Sequence, residues 1–99
     1  MKVDDVVRIS RAMREFKLSL HELEVLLSVR DYGCNDTVVM GVVRELLGLT
    51  PACMSVLCRG LEERGIVQIE DSIRDRRAKL LRLTKAGCKL RRDVQRSLA

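Results

Sequence analysis

Apolar residues near the N-terminus recur at helical spacing. Val6, Val7, Ile9, Met13 and Phe16 are apolar residues of the first segment and predict a helix over Val3–Phe16. Ser19, with Glu22 three residues on, reads as a capping box. It opens a second helix that carries Leu20, Leu23, Leu26 and Leu27, with Tyr32 at its end near Gly33. Asn35, Asp36 and Thr37 are cap and turn formers, and they predict a third helix over about 38–47, stopped by Gly48. Thr50 caps again, and Pro51 takes the first helical position, where a missing N–H costs nothing. This fourth helix runs to about Arg64 and stops at Gly65.

The period then changes. Residues 66–69 read as a short strand, 70–77 as a polar loop with no hydrophobic face, and 78–83 as a return strand. Thr84 caps a last helix over about 85–98, whose apolar stripe is Ala86, Leu90, Val94 and Leu98. That stripe suits equally a small dimer seam or packing on its own domain. The order defines a mainly α (α+β) class: a winged helix-turn-helix with a two-stranded β-hairpin wing and flanking N- and C-terminal helices. With 99 residues, one domain over 1–99 is expected: helix-turn-helix about 37–64, wing about 66–83, last helix about 85–98.

Charge adds a direction to this outline. Residues 1–50 hold seven Lys/Arg against eight Asp/Glu, and residues 51–99 hold twelve against six. A basic half joined to a near-neutral one suggests a polyanion on one side. Phe16 and Tyr32 are the only aromatics, too few for a base-stacking platform, so duplex DNA is favoured over single strands. No apolar run approaches the ~20 residues that span a bilayer, and MKVDDVVRIS is not a secretory leader. A cytoplasmic protein without a membrane partner is therefore expected.

The helix pair over 37–65, joined by Gly48-Leu49-Thr50, matches an arrangement whose second helix lies in a major groove. At 100° per residue, Cys53, Met54, Leu57, Gly60 and Leu61 cluster as the core face, with Gly60 expected to let another helix come close. Ala52, Ser55, Arg59 and Glu62 point the other way, with Val56 at the margin. Arg59 suits guanine or phosphate, Ser55 bonds to either, and Ala52 or Val56 suits a thymine methyl. Glu62 repels phosphate and is expected beyond the backbone. The loop over 70–77 carries Arg74, Arg76 and Arg77, which suit a minor groove or phosphates. Asp75 among them is expected to hold the loop's shape by accepting a hydrogen bond.

These residues carry a family resemblance. Leu61-Glu62-Glu63-Arg64-Gly65-Ile66-Val67, then Asp75-Arg76-Arg77-Ala78, then Leu83-Thr84-Lys85-Ala86-Gly87 resemble in order the helix end, D-x-R wing and LT-x-x-G junction of MarR-type transcriptional regulators. Leu49-Thr50 also matches the turn before that family's recognition helix. The resemblance implies that Asp75 anchors the wing and Arg77 enters the minor groove. It assigns Thr50, Pro51, Ala52, Ser55, Val56 and Arg59 to the DNA-reading segment. It also implies a homodimeric repressor on a palindromic operator. Two departures stand out: Arg44 replaces a small residue of the family, and the terminal helices are short. Those helices frame the family's effector pocket, so a small-molecule effector is doubtful.

Nothing in the sequence points to catalysis, and a non-enzyme is expected. The single histidine, His21, reads as a surface or helix-packing residue, and no Gly-rich phosphate loop follows a strand. Cys34, Cys53, Cys58 and Cys88 form no CxxC pair, so neither a metal nor any other cofactor is expected. They read as small buried hydrophobes, or alternatively as a thiol sensor with Cys34 the best candidate. The alternatives to a regulator are a winged-helix protein-interaction module (adaptor or inhibitor) and a plasmid or phage partition or replication accessory.

Overall fold

The computed structural model describes residues 2–74 and 78–99. The order of elements is α1 (Val3–Phe16), α2 (Leu20–Tyr32), β1 (Thr37–Val39), α3 (Met40–Leu47), α4 (Pro51–Glu63), β2 (Val67–Asp71), β3 (Lys79–Leu83) and α5 (Lys85–Leu98). The caps form as the sequence requires. The Ser19 hydroxyl accepts the Glu22 N–H while Glu22 accepts the Ser19 N–H at 2.9 Å, and Thr50 and Thr84 accept from the Cys53 and Gly87 amides.

One element differs from expectation. Asn35, Asp36 and Thr37 do not cap the third helix. Asn35 and Asp36 take positive φ values of 54° and 59°, the geometry of a two-residue hairpin turn. Cys34 and Thr37 exchange both backbone hydrogen bonds across it. The β-branched run Thr37-Val38-Val39 then becomes a strand, and α3 starts at Met40 without a side-chain cap. The hairpin of the wing is therefore part of a three-stranded antiparallel sheet in the order β1-β3-β2. Thr37 faces Arg82 at one side of β3, and Val67 faces Leu83 at the other.

Leu23, Val25, Leu26 and Val29 of α2 form the centre of the core. Val43 of α3, Met54, Cys58 and Leu61 of α4, and Val67, Leu81 and Leu83 of the sheet close around them. Of the α5 stripe, Val94 is fully buried, Leu90 and Leu98 are half-buried and Ala86 is exposed. The stripe packs within its own domain, with α5 against α1, α2 and β3. α5 is also tied to the β1 turn, where an Arg91 Nη1 donates to Asp36 Oδ1 at 3.0 Å.

The junction into α5 explains its sequence. The Thr84 hydroxyl donates to the Gly65 carbonyl at 2.6 Å, and the Thr84 N–H donates to the Ile66 carbonyl. These bonds draw the start of α5 onto the turn after α4. At Gly87 any Cβ would stand 2.1 Å from the Ile66 carbonyl oxygen, so only glycine fits.

Candidate nucleic-acid interface

The turn between α3 and α4 is built by its sequence. Gly48 adopts φ 67°, a left-handed conformation that glycine takes without strain, and ends α3. The Leu49 N–H then returns to the Arg44 carbonyl at 3.1 Å. Arg44, the sequence's departure from a small residue, reaches forward and donates an Nη1 hydrogen bond to the Leu49 carbonyl at 3.2 Å. A long side chain at this position thus braces the turn from within. The two helix axes bend by 117° at the junction, inside the range of a helix-turn-helix pair.

The buried face of α4 is narrower than the sequence reading gave. Met54, Cys58 and Leu61 are buried at i, i+4 and i+7, with Leu57 and Gly60 half-buried beside them. Cys53 is exposed, against expectation. It stands 100° back from Met54 in the first turn. There it joins Ser19, His21, Ala52, Val56 and Leu57 around a shallow apolar depression at the start of α2. Gly60 also departs from its assigned reason, because an added Cβ would meet nothing within 4 Å.

The residues singled out for contact lie together on the open side. Thr50, Pro51, Ala52, Ser55 and Arg59 are exposed, and Val56 is 69% exposed. The Thr50 oxygen is engaged in the cap. Between this face and the base of β3 lies a cleft of about 360 Å³ lined by Met40, Arg44, Pro51, Ser55, Ala78 and Lys79, among others. Arg74 is exposed beyond the end of β2. Asp75, Arg76 and Arg77, to which the wing anchor and the groove-entering arginines were assigned, lie outside the described residues.

Ion pairing separates the cations. Arg64 binds Glu22 at 2.9 Å, Arg82 binds Glu70 at 3.1 Å, Lys79 pairs with Asp71, and Arg91 pairs with Asp36. Arg59 and Arg74 form no ion pair among the described residues. Glu62 takes a role that sequence reasoning missed: its carboxylate accepts the Ile69 N–H of β2 at 3.1 Å. No pattern in the sequence links positions 62 and 69, since the contact arises where α4 passes the sheet edge.

The cysteines split between surface and interior. Cys58 is buried, and burial raises its thiol pKa to about 11; Cys88 is half-buried and also raised, first by burial and then by its hydrogen bond to Asp36. Cys34 and Cys53 are exposed, so the reading of all four as buried hydrophobes is wrong for these two. His21 is exposed and its Nδ1 lies 3.0 Å from Glu24 Oε1. Among the described residues no cluster of three or more His, Cys, Asp or Glu is arranged to hold a metal, and no single helix is long and apolar enough to cross a membrane.

A bent helix pair, an exposed face on its second member and an adjoining hairpin define a winged helix-turn-helix. The solved structures that match it are MarR-family transcriptional regulators. A MarR-family regulator from Rhodococcus sp. RHA1 superposes with a TM-score of 0.80 at 26% identity, covering 95% of this chain and 64% of that one. CouR from Rhodococcus jostii RHA1, solved bound to p-coumaroyl-CoA, gives 0.79 at 28% identity, again covering 95% and 64%. A MepR mutant from S. aureus bound to an oligodeoxyribonucleotide gives 0.82 at 17% identity, covering 94% and 67%. The chain thus spans a little under two thirds of the length of the two Rhodococcus proteins. No family model and no curated protein matches it by sequence.

Proposed function

We propose that this chain is a sequence-specific duplex-DNA-binding transcriptional regulator, acting as a homodimeric repressor. One observation carries the reading: the exposed face of α4 runs from Pro51 through Ala52, Ser55 and Val56 to Arg59, which forms no ion pair among the described residues. On this reading α4 enters the major groove, with Arg59 on guanine or phosphate and the small residues against base edges. Arg74, Arg76 and Arg77 reach the minor groove or phosphates, and Asp75 anchors the wing. The MepR mutant bound to an oligodeoxyribonucleotide lends support by similarity of fold.

The test is fluorescence anisotropy with duplex flanking the chain's own gene against a scrambled duplex, over a salt series. The expected result is tighter binding to the native duplex and a steep loss of affinity with salt, because each phosphate neutralised releases counterions. Arg59→Ala and Arg77→Ala are expected to weaken binding while the fold is retained. Equal, weak binding to both duplexes would remove sequence specificity, and no binding at low salt would remove DNA altogether.

A second reading has its own observation. The depression around Cys53 and Val56 is almost wholly apolar, and Val56 at its rim is 69% exposed. An adaptor or inhibitor that used it would hold its protein partner through Arg59→Ala and lose it on Val56→Asp.

A further inference from the structure

β2 lies at an edge of the sheet, beside β3 alone. Outward N–H groups of an edge strand have no strand partner and must be satisfied otherwise. At Ile69, in the middle of β2, the partner is the carboxylate of Glu62, 3.1 Å away. Glu62 lies in the last turn of α4, three residues after Arg59 and on the same exposed side. One helix face therefore presents Ser55 and Arg59 outward and, one turn on, grips the hairpin. The two strands of the hairpin are held together beyond that grip. β2 and β3 stay in register from Val67↔Leu83 to Asp71↔Lys79, with ion pairs at Glu70–Arg82 and Asp71–Lys79. Setting the position of Ile69 relative to α4 thus sets the position of the far end, beyond which Arg74 lies.

We propose that Glu62 is a positioning residue for DNA binding: its hydrogen bond to the β2 edge fixes the angle between α4 and the hairpin, so that Arg74 meets the phosphate backbone while Arg59 is in the groove. This rests on the DNA-binding reading above. It makes a prediction of opposite sign to simple electrostatics. A carboxylate near a phosphate surface repels it. If Glu62 were only a solvated charge, every substitution that discharges it would tighten the complex. If it positions the hairpin, Glu62→Gln and Glu62→Ala must separate, because glutamine keeps an acceptor oxygen and alanine does not.

The experiment uses the full chain and the duplex flanking its gene, with anisotropy over a salt series, and amide hydrogen exchange at Ile69 measured without DNA. Glu62→Gln is expected to bind at least as tightly as the native chain and to keep the Ile69 amide protected. Glu62→Ala is expected to exchange faster at Ile69, to bind roughly three- to tenfold more weakly, and to show a shallower salt slope. Its loss should vanish in an Arg74→Ala background, which a general loss of stability would not do. Equal tightening by both variants, or an undiminished loss in the Arg74→Ala background, overturns the proposal. A native chain that binds no duplex at low salt overturns the DNA-binding reading itself, and this proposal with it.

Discussion

At Gly87 an added Cβ would stand 2.1 Å from the Ile66 carbonyl oxygen, whereas at Gly60 it would meet nothing within 4 Å. The same change therefore has opposite consequences at two helical positions. Gly87→Ala forces the start of α5 away from the turn that Thr84 draws it onto, a cost of about 1–3 kcal/mol. Gly60→Ala removes backbone freedom from the unfolded chain at no steric cost and should stabilise by about 0.5–1 kcal/mol. Urea unfolding of both variants checks this; shifts of the same sign would mean that one of the two surroundings is misjudged. Residue-level features were the least legible in the sequence. The helical wheel put Cys53 in the core because apolar character and angle both allowed it. The first turn of α4 instead reaches the start of α2, where no wheel drawn on one helix can show the missing cover. Gly60 lies on the core side of the wheel, which suggests close helix approach, but the open space beside it removes that reason.

Elements were read well where caps and stops are local. Ser19, Thr50 and Thr84 each accept the amide that their position requires, and Gly48 ends α3 where its positive φ is tolerated. β1 was not read, since three residues are too few for an alternation, and Asn-Asp serves a hairpin turn as readily as a helix cap. The wing and the turn into α4 were legible for the opposite reason, being marked by Gly, Pro and a dense charged run. Between elements, an ion pair links α2 to the end of α4: Glu22–Arg64, formed across 42 positions of sequence. Burial alone would raise the Glu22 carboxyl above its ordinary value of 4.5, but the Ser19 backbone N–H, the Arg64 guanidinium and the Ser19 hydroxyl outweigh it and the net shift is downward. A depressed folded-state pKa gives stability that is fully present above 4.5 and is lost as pH falls through the folded value. Glu22→Gln should accordingly lower stability at neutral pH and flatten the stability profile below pH 4.5. Thermal unfolding from pH 3 to 7 checks this, and parallel profiles for native and variant would rule out a contribution from Glu22.

Across the whole molecule, net charge overstates the surface available to a polyanion. Of the twelve Lys and Arg in residues 51–99, Arg64, Lys79, Arg82 and Arg91 are in intramolecular ion pairs. Lys85, Lys89, Arg92 and Arg96 are exposed on α5, which packs on α1, α2 and β3 and carries none of the proposed contact residues. Arg59 and Arg74 form no ion pair among the described residues, and Arg76 and Arg77 lie outside them. If these four make the proposed phosphate contacts, the slope of log K against log salt is about −3.6 per copy, far short of what twelve cations would produce. The apolar side of α1 bears on how many copies act together. Val3 is 77% exposed, Val6 53% and Val7 43%, a patch on one helix that its neighbours in the chain leave open. If a second copy covers it, a duplex with two half-sites one helical turn apart binds two α4 helices. The slope on that duplex then rises to about −7. Val6→Asp places a charge in the seam yet on a surface the single chain tolerates. It should return the slope to about −3.6 and make a half-site bind as well as the full site. Sedimentation of native and variant chains checks the accompanying change in size. A variant that keeps both the steep slope and the larger size would move the seam away from α1, whereas a native chain with the shallow slope would make the DNA-binding unit a single copy.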